Sequence, residues 1–323
     1  MTLAAPITVA DEVTRSPWAM AWRRFRRNIL AMVGGVALAL IVIVCFATLP
    51  VTLDSYSDQH ELKYVLHEPG KAVTADGAMK LFPLGTDKLG RDLLSRLLVG
   101  GAISLSVGLA SAAIAVVIGT SVGMLAGYIG GRVDAFLMRV VDVLYGLPYI
   151  LLVILMRVTL VPVLTESLTH LGVESPGIWA NVTVLLVGIA SVSWLTMARV
   201  VRGQVLSLRD QPFVEAARAM GFSNFRILRK HILPNLVGPI LVYATLTVPQ
   251  AILSESFLSF LGLGIQPPLP SWGNLASDGV EALNPIQTRW WLIVWPCVAL
   301  SVTLLCLNFV GDGLRDALDP KAK

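Results

Sequence analysis

The chain has 323 residues, of which 55% are hydrophobic and 14% charged, where a soluble domain carries about a quarter charged. With a mean hydropathy of +0.73, this composition excludes a disordered chain, a secreted disulfide scaffold and an ordinary water-soluble enzyme. A net charge of +4 does not point to nucleic acid, because the basic residues flank apolar runs, as they do on the cytoplasmic side of membrane proteins. A bilayer-crossing helix needs roughly 20 apolar residues, so the composition describes an all-α polytopic membrane protein. Cys45, Cys297 and Cys306 all fall inside apolar runs without metal-type spacing, so they suggest neither disulfides nor zinc.

Residues 1–28 read as a cytoplasmic tail leading into an amphipathic helix. There Trp18, Trp22 and Phe25 recur at helical spacing opposite Arg23, Arg24, Arg26 and Arg27, a pattern suited to the inner membrane surface. The first span is 29–49, uncharged and closed by Pro50. An extracytoplasmic loop, 50–98, follows, and Thr86-Asp87-Lys88-Leu89-Gly90-Arg91-Asp92 is expected to begin a short amphipathic helix feeding the second span. His60 and His67 in that loop carry no convincing metal signal. The remaining five spans form a core at 99–311. The second is expected at 97–131 as one long helix, the third at 135–160, the fourth at 174–199, the fifth at 231–262 and the sixth at 290–310, before a short tail, 312–323. In the second span Gly119, Gly123 and Gly127 stand at i, i+4 and i+8, a seam that admits a close helix neighbour. Pro239, Pro249 and Pro296 are expected to kink the fifth and sixth spans. With both termini inside, inner segments hold 17 Lys and Arg against 8 outside, so both termini are expected to be cytoplasmic.

The longest inner loop, 199–235, is the most informative. Asp210 can cap a helix with Pro212 near its first position. Gly221 can close it in a left-handed conformation, and Ser223 or Asn224 can cap a second helix running to His231. The result would be a rigid helix-turn-helix whose apolar tip is Phe213, Ala216, Ala217, Met220 and Phe222. Such a knob calls for a groove on a partner.

Glu215-Ala216-Ala217, Gly221 six positions on, and Ile232-Leu233-Pro234 with Leu233 twelve positions later resemble the EAA loop of ABC importer permeases. Three further stretches look like the C-type permeases of dipeptide, oligopeptide and nickel importers. They are Leu84–Asp92, Ser259–Gly264 with Pro270–Gly273, and Gly311–Asp316 with Asp319-Pro320. The resemblance implies a type I ABC importer permease fold of six transmembrane helices, paired with a homologous B-type permease. Two cytoplasmic ATPase subunits would carry ATP and magnesium and receive the loop, and an extracytoplasmic binding protein would deliver the solute. It implies no cofactor on this chain and a coupling role for Phe213, Glu215, Ala216, Ala217, Met220, Gly221, Phe222, Leu233 and Pro234, with Glu215 ordering the loop by capping or by an ion pair. Peptides lead as cargo, with nickel chelates, glutathione or a peptide-like antibiotic behind.

Among intramembrane charges, Arg139 and Asp142 are expected to neutralise each other at i, i+3, and Arg157 to snorkel outward. Glu255 is expected to face either the translocation pathway or the partner. A secondary transporter would want paired broken helices or acids in symmetry-related halves, and no such pairing stands out. There is no P-loop, HExxH or Gly-x-Ser-x-Gly to support an enzyme.

Overall fold

The computed structural model describes residues 17–59, 65–70, 72–75, 78–283 and 288–318. His60 and the side chain of Trp18 lie outside what is described. The described chain opens with α1 (Pro17–Arg27), whose exposed Trp22 stacks on Phe25 at 5.9 Å while its four arginines cluster toward its C-terminal end. Asn28 caps α2 (Ile29–Ala47), the first span, by accepting a hydrogen bond from the Ala31 N–H. Pro50 does not end the helical path: after a break at Thr48 it sits in the first turn of α3 (Leu49–Ser55), where its missing N–H costs nothing.

In the connection that follows, β1 (Ala72–Ala75) and β2 (Ala78–Leu81) form a small antiparallel hairpin with Ala72 opposite Leu81. The expected feeder helix at 86–92 is instead a turn. Asp87 accepts the backbone N–H groups of Leu89 and Arg91 at 2.8 and 2.9 Å and pairs with the side chains of Arg91 and Arg96. Asp92 then caps α4 (Leu93–Ile129) directly. Burial pushes the Asp87 carboxyl up, but the two guanidiniums and the two N–H groups overcome this and hold it below the usual carboxylate range.

The expected third span is two helices. Gly146, Leu147 and Pro148 separate α5 (Gly131–Tyr145) from α6 (Tyr149–His170), because the residue before a proline is driven out of the helical region. α7 (Pro176–Arg209) is longer than expected and packs along α4 in a parallel direction. Two short helices follow, α8 (Pro212–Ala219) and α9 (Asn224–Ile227). A π-turn at Leu228–Ile232 joins α9 to α10 (Leu233–Phe260) without a break, so the fifth span begins at Asn224. The π-turn contains Lys230, whose carbonyl a proline at 234 would crowd in a regular helix; widening that turn absorbs the clash. α11 (Trp272–Glu281), absent from the sequence reading, starts from a capping box of Ser271 and Asn274. α12 (Trp291–Leu318) completes, among the described residues, six helices long and apolar enough to cross a membrane.

α4 is the axis. On one side a Cβ at Gly119 would stand 2.6 Å from Met197 Cβ, at Gly123 2.5 Å from the Ala198 carbonyl oxygen, and at Gly127 2.8 Å from Val205 Cβ. The glycine seam therefore faces α7 at backbone contact. Its other side meets α10, α11 and α2. α6 projects as the most exposed span of the isolated chain. The turn between α7 and α10 marks one face of the molecule, shared with α1; the Asp87 turn and α11 mark the opposite face.

Two charged residues differ from expectation. Asp142 pairs with Arg199 of α7 at 2.9 Å, not with Arg139, because α5 lies beside α7. Arg157 turns inward, donating to Asn181 Oδ1 at 2.9 Å and the Gly264 carbonyl at 3.1 Å, since α7 and the segment after α10 each supply it with an acceptor inside the protein.

Gly123→Val should overpack the α4–α7 seam at a cost of about 1–3 kcal/mol, lowering the melting temperature in detergent. Gly203→Ala, with open space around it, should not. Equal melting temperatures would show that the seam does not hold the two helices together.

Candidate functional site

Two features compose the site: a knob on one face and a cavity above it. The knob starts where α7 ends. Gln211, not Asp210, is the cap residue of α8, with Pro212 at the first helical position. Asp210 instead lies 3.4 Å from the Arg209 side chain. α8 closes in a Schellman motif: the Gly221 N–H donates to the Arg218 carbonyl at 2.9 Å and the Phe222 N–H to the Ala217 carbonyl at 3.1 Å. Gly221 takes φ +76°, the left-handed conformation that glycine reaches without penalty. Ser223 then sits in the cap position of α9, whereas Asn224 accepts a hydrogen bond from Tyr128 Oη at 3.1 Å, tying the knob to the end of α4.

The orientation of α8 corrects part of the expected tip. Ala217 faces inward together with Val214, both fully buried in a cluster with Tyr128, Val201, Val205, Ile227 and Ile232. Phe222 is half-buried and stacks on His231, with the Arg226 guanidinium 5.4 Å from the centroid of its ring. The outward face carries Phe213, Glu215, Ala216, Met220 and Gly221, joined by Phe225, which is 71% exposed and was missed in the sequence. Leu233 is half-buried and Pro234 exposed at the start of α10. Among the described residues the Glu215 carboxylate has no hydrogen bond or ion pair within the chain, so it neither caps nor pairs with a local arginine.

The cavity, about 390 Å³, lies between α7, α10 and the α5–α6 break. α7 contributes Val192, Ser193, Thr196 and Met197; α10 contributes Tyr243, Leu246, Thr247, Gln250 and Ser254 from one helical face; Tyr145, Leu147 and Tyr149 close the side. The Ser193 and Thr247 hydroxyls donate to carbonyls of their own helices at 2.9 and 2.8 Å, which leaves oxygen lone pairs free for a ligand. None of the lining side chains is charged. The available signal was a stripe of hydroxyl and amide residues at helical spacing within an apolar span.

Glu255 lies outside this lining and is fully buried within the chain, which places it away from both the open cavity and any partner-facing surface. Ser259 Oγ donates to it at 2.7 Å while accepting the Ile265 N–H, Ser256 Oγ stands at 3.2 Å, and the hydroxyls of Ser104 and Ser271 also reach it. Glu255 thus fastens α10 to α4 and to the segment leading into α11. On that opposite face Lys88 pairs with Glu281 at 2.6 Å, and burial raises the Asp278 carboxyl despite the Arg96 guanidinium 3.8 Å away. Among the described residues no group of His, Cys, Asp or Glu could hold a metal ion.

A bundle of membrane-crossing helices that walls an uncharged cavity and bears a knob on the same helices defines a transport permease. The profile of the family described as "Binding-protein-dependent transport system inner membrane component" matches residues 119–323, and that described as "N-terminal TM domain of oligopeptide transport permease C" matches residues 16–69. The dipeptide transport system permease protein of Bacillus subtilis is 41% identical over 304 residues, covering 94% of this chain and 85% of that protein. The oligopeptide transport system permease protein of Escherichia coli K12 is 44% identical over 307 residues, covering 95% and 92%. A glutathione transport system permease of Pectobacterium atrosepticum is 36% identical over 99% of this chain and 97% of its own. Among solved structures, the inward-facing MetNI methionine ABC transporter superposes with a TM-score of 0.53 at 22% identity, over 70% of this chain and 98% of that one, a likeness of fold. The chain belongs to the binding-protein-dependent ABC importer permeases, as a C-type member of their dipeptide/oligopeptide/nickel branch.

Glu255→Gln should preserve the serine cage and the folded yield. Glu255→Leu should strand several buried hydroxyls at about 1–3 kcal/mol each and depress the yield sharply. A well-folded Leu variant, measured by size-exclusion chromatography after extraction, would contradict the fastening role.

Proposed function

We propose that this chain forms half of the translocation pathway of an ATP-driven peptide importer and that its knob couples the pathway to cytoplasmic ATPase subunits. One observation carries the reading: the two legs of the knob are α7 and α10, and the same two helices wall the cavity. The buried cluster around Val214 and Ala217 makes the knob one body with these helices. A force applied to the knob must then move the cavity walls. Phe213, Met220 and Phe225 offer apolar anchors for a groove, and the unpaired Glu215 is available to a cation of the ATPase. ATP and magnesium would be bound there and not on this chain.

The open side of the cavity and the exposed α6 suit a homologous B-type permease that supplies the other half. An extracytoplasmic binding protein would deliver its load to the opposite face. The 17 to 8 distribution of Lys and Arg supports a bacterial inner-membrane orientation with the knob and both termini in the cytoplasm. Peptides are the favoured cargo, because relatives at 41% and 44% identity bear dipeptide and oligopeptide permease names. An uncharged lining of hydroxyl, phenol and amide groups also suits a backbone rich in amides while leaving side-chain charge unselected.

The test is reconstitution with the B-type permease, the ATPases and the binding protein. Wild type should import a labelled dipeptide only with ATP. Gly221→Asp, strained at φ +76° and carrying a charge on an apolar surface, should insert and fold yet lose at least tenfold in uptake per ATP hydrolysed. Normal uptake by this variant would refute the coupling role, and an assembly without ATPase subunits would refute the class of transporter.

A further inference from the structure

Resting on the proposed translocation reading, we infer that Arg199 is a positioning residue that ties the floor of the cavity to the knob. Ser193, Thr196 and Arg199 follow one another at i, i+3 and i+6 on α7. The first two line the cavity, and Arg199 lies one turn nearer the knob. Its guanidinium sits 4.4 Å from the centroid of the Tyr145 ring, a cation–π distance, and donates to Asp142 Oδ1 at 2.9 Å. Tyr145 itself lines the cavity. The ring is thus held between the cavity and the first charged group below it.

One turn closer to the knob the arrangement is repeated: Arg202 forks onto Asp134 at 2.5 and 2.7 Å. Two ion pairs therefore rivet α5 to α7. At its far end α5 is released from α6 by Gly146-Leu147-Pro148, the natural hinge of this segment. α7 continues from Arg199 to Arg209 as one helix of roughly 15 Å. When the knob moves, α7 carries α5 with it, the chain bends at 146–148, and Tyr145 shifts relative to Tyr149 and α10. An exposed ion pair adds little stability; what Asp142–Arg199 contributes is register between the ring and the lever.

The experiment uses the complete transporter in proteoliposomes with Leu147→Cys, at the hinge, as a thiol reporter in a Cys297→Ser background. Its maleimide labelling rate is compared with and without ATP and vanadate. In the parent protein the rate should differ at least threefold between the two states. Arg199→Glu should abolish that difference and cut dipeptide uptake about tenfold while ATP hydrolysis persists. The charge swap Arg199→Glu with Asp142→Arg should restore most of both. Arg199→Lys, which keeps the charge but loses the planar stack on Tyr145, should fall between. If Arg199→Glu does not assemble, the Lys and swap variants carry the test, and a Lys variant indistinguishable from the parent together with an unrescued swap would overturn the assignment. Normal labelling change and uptake in Arg199→Glu would overturn it as well. A parent complex that imports no peptide would instead count against the proposed function.

Discussion

Everything on the knob face depends on how closely α7 lies against α4. In a bilayer no hydrophobic effect pulls helices together, so association rests on van der Waals contact between surfaces that fit. Glycines at 119, 123 and 127 remove the Cβ row that would keep α7 away, and a side chain there would strike both backbone atoms of α7 and the inner carbons of Met197, Val201 and Val205. α7 therefore has one seat, with little freedom to slide or roll. Since α7 also walls the cavity and delivers the chain to the knob, its seat fixes the geometry of both.

The two faces of the molecule are held by different means. On the knob face an apolar cluster welds α8 and α9 to α4, α7 and α10, with Tyr128 and Asn224 adding one polar tie. On the opposite face polar groups do the work: Asp87 gathers two arginines and two backbone donors, and Glu255 gathers serine hydroxyls from three segments. Polar networks of this kind fix one geometry because an unmet donor or charge is costly at low dielectric. The α5–α6 break, Gly146-Leu147-Pro148, has no polar side chain with which to build such a network.

Much of this was legible in the sequence because bilayer thickness and backbone satisfaction leave few choices to a long uncharged run. The six spans, the glycine register and the turn at Gly221 all follow from residue type and spacing. The failures have physical causes. Apolar residues on both sides of Gly146-Leu147-Pro148 masked a helix break that Pro148 itself signals. Asp142 sits three residues from Arg139 but pairs across space, because helix packing and not sequence distance selects its partner. In the knob, Ala217 was placed outward because periodicity gives a helix its apolar faces but not the rotation at which it docks; Val214 decided that rotation. Glu255 is expected from the sequence to face either the pathway or the partner because a lone acid in a span signals function, whereas the serines that satisfy it come from three separate segments. The cavity lining was invisible for a related reason: Ser193, Thr196, Thr247 and Gln250 are unremarkable singly and form a surface only after α7 and α10 meet.

The central claim is that the turn between α7 and α10 is seated in another protein that hydrolyses ATP. Cysteine at Met220, which is 64% exposed, combined with a short photoactivatable crosslinker in native membranes, addresses it directly. The account predicts a crosslink to an ATPase subunit that weakens or shifts when nucleotide is trapped. Labelling of lipid alone, or reaction only with reagents confined to the extracytoplasmic side, would contradict it.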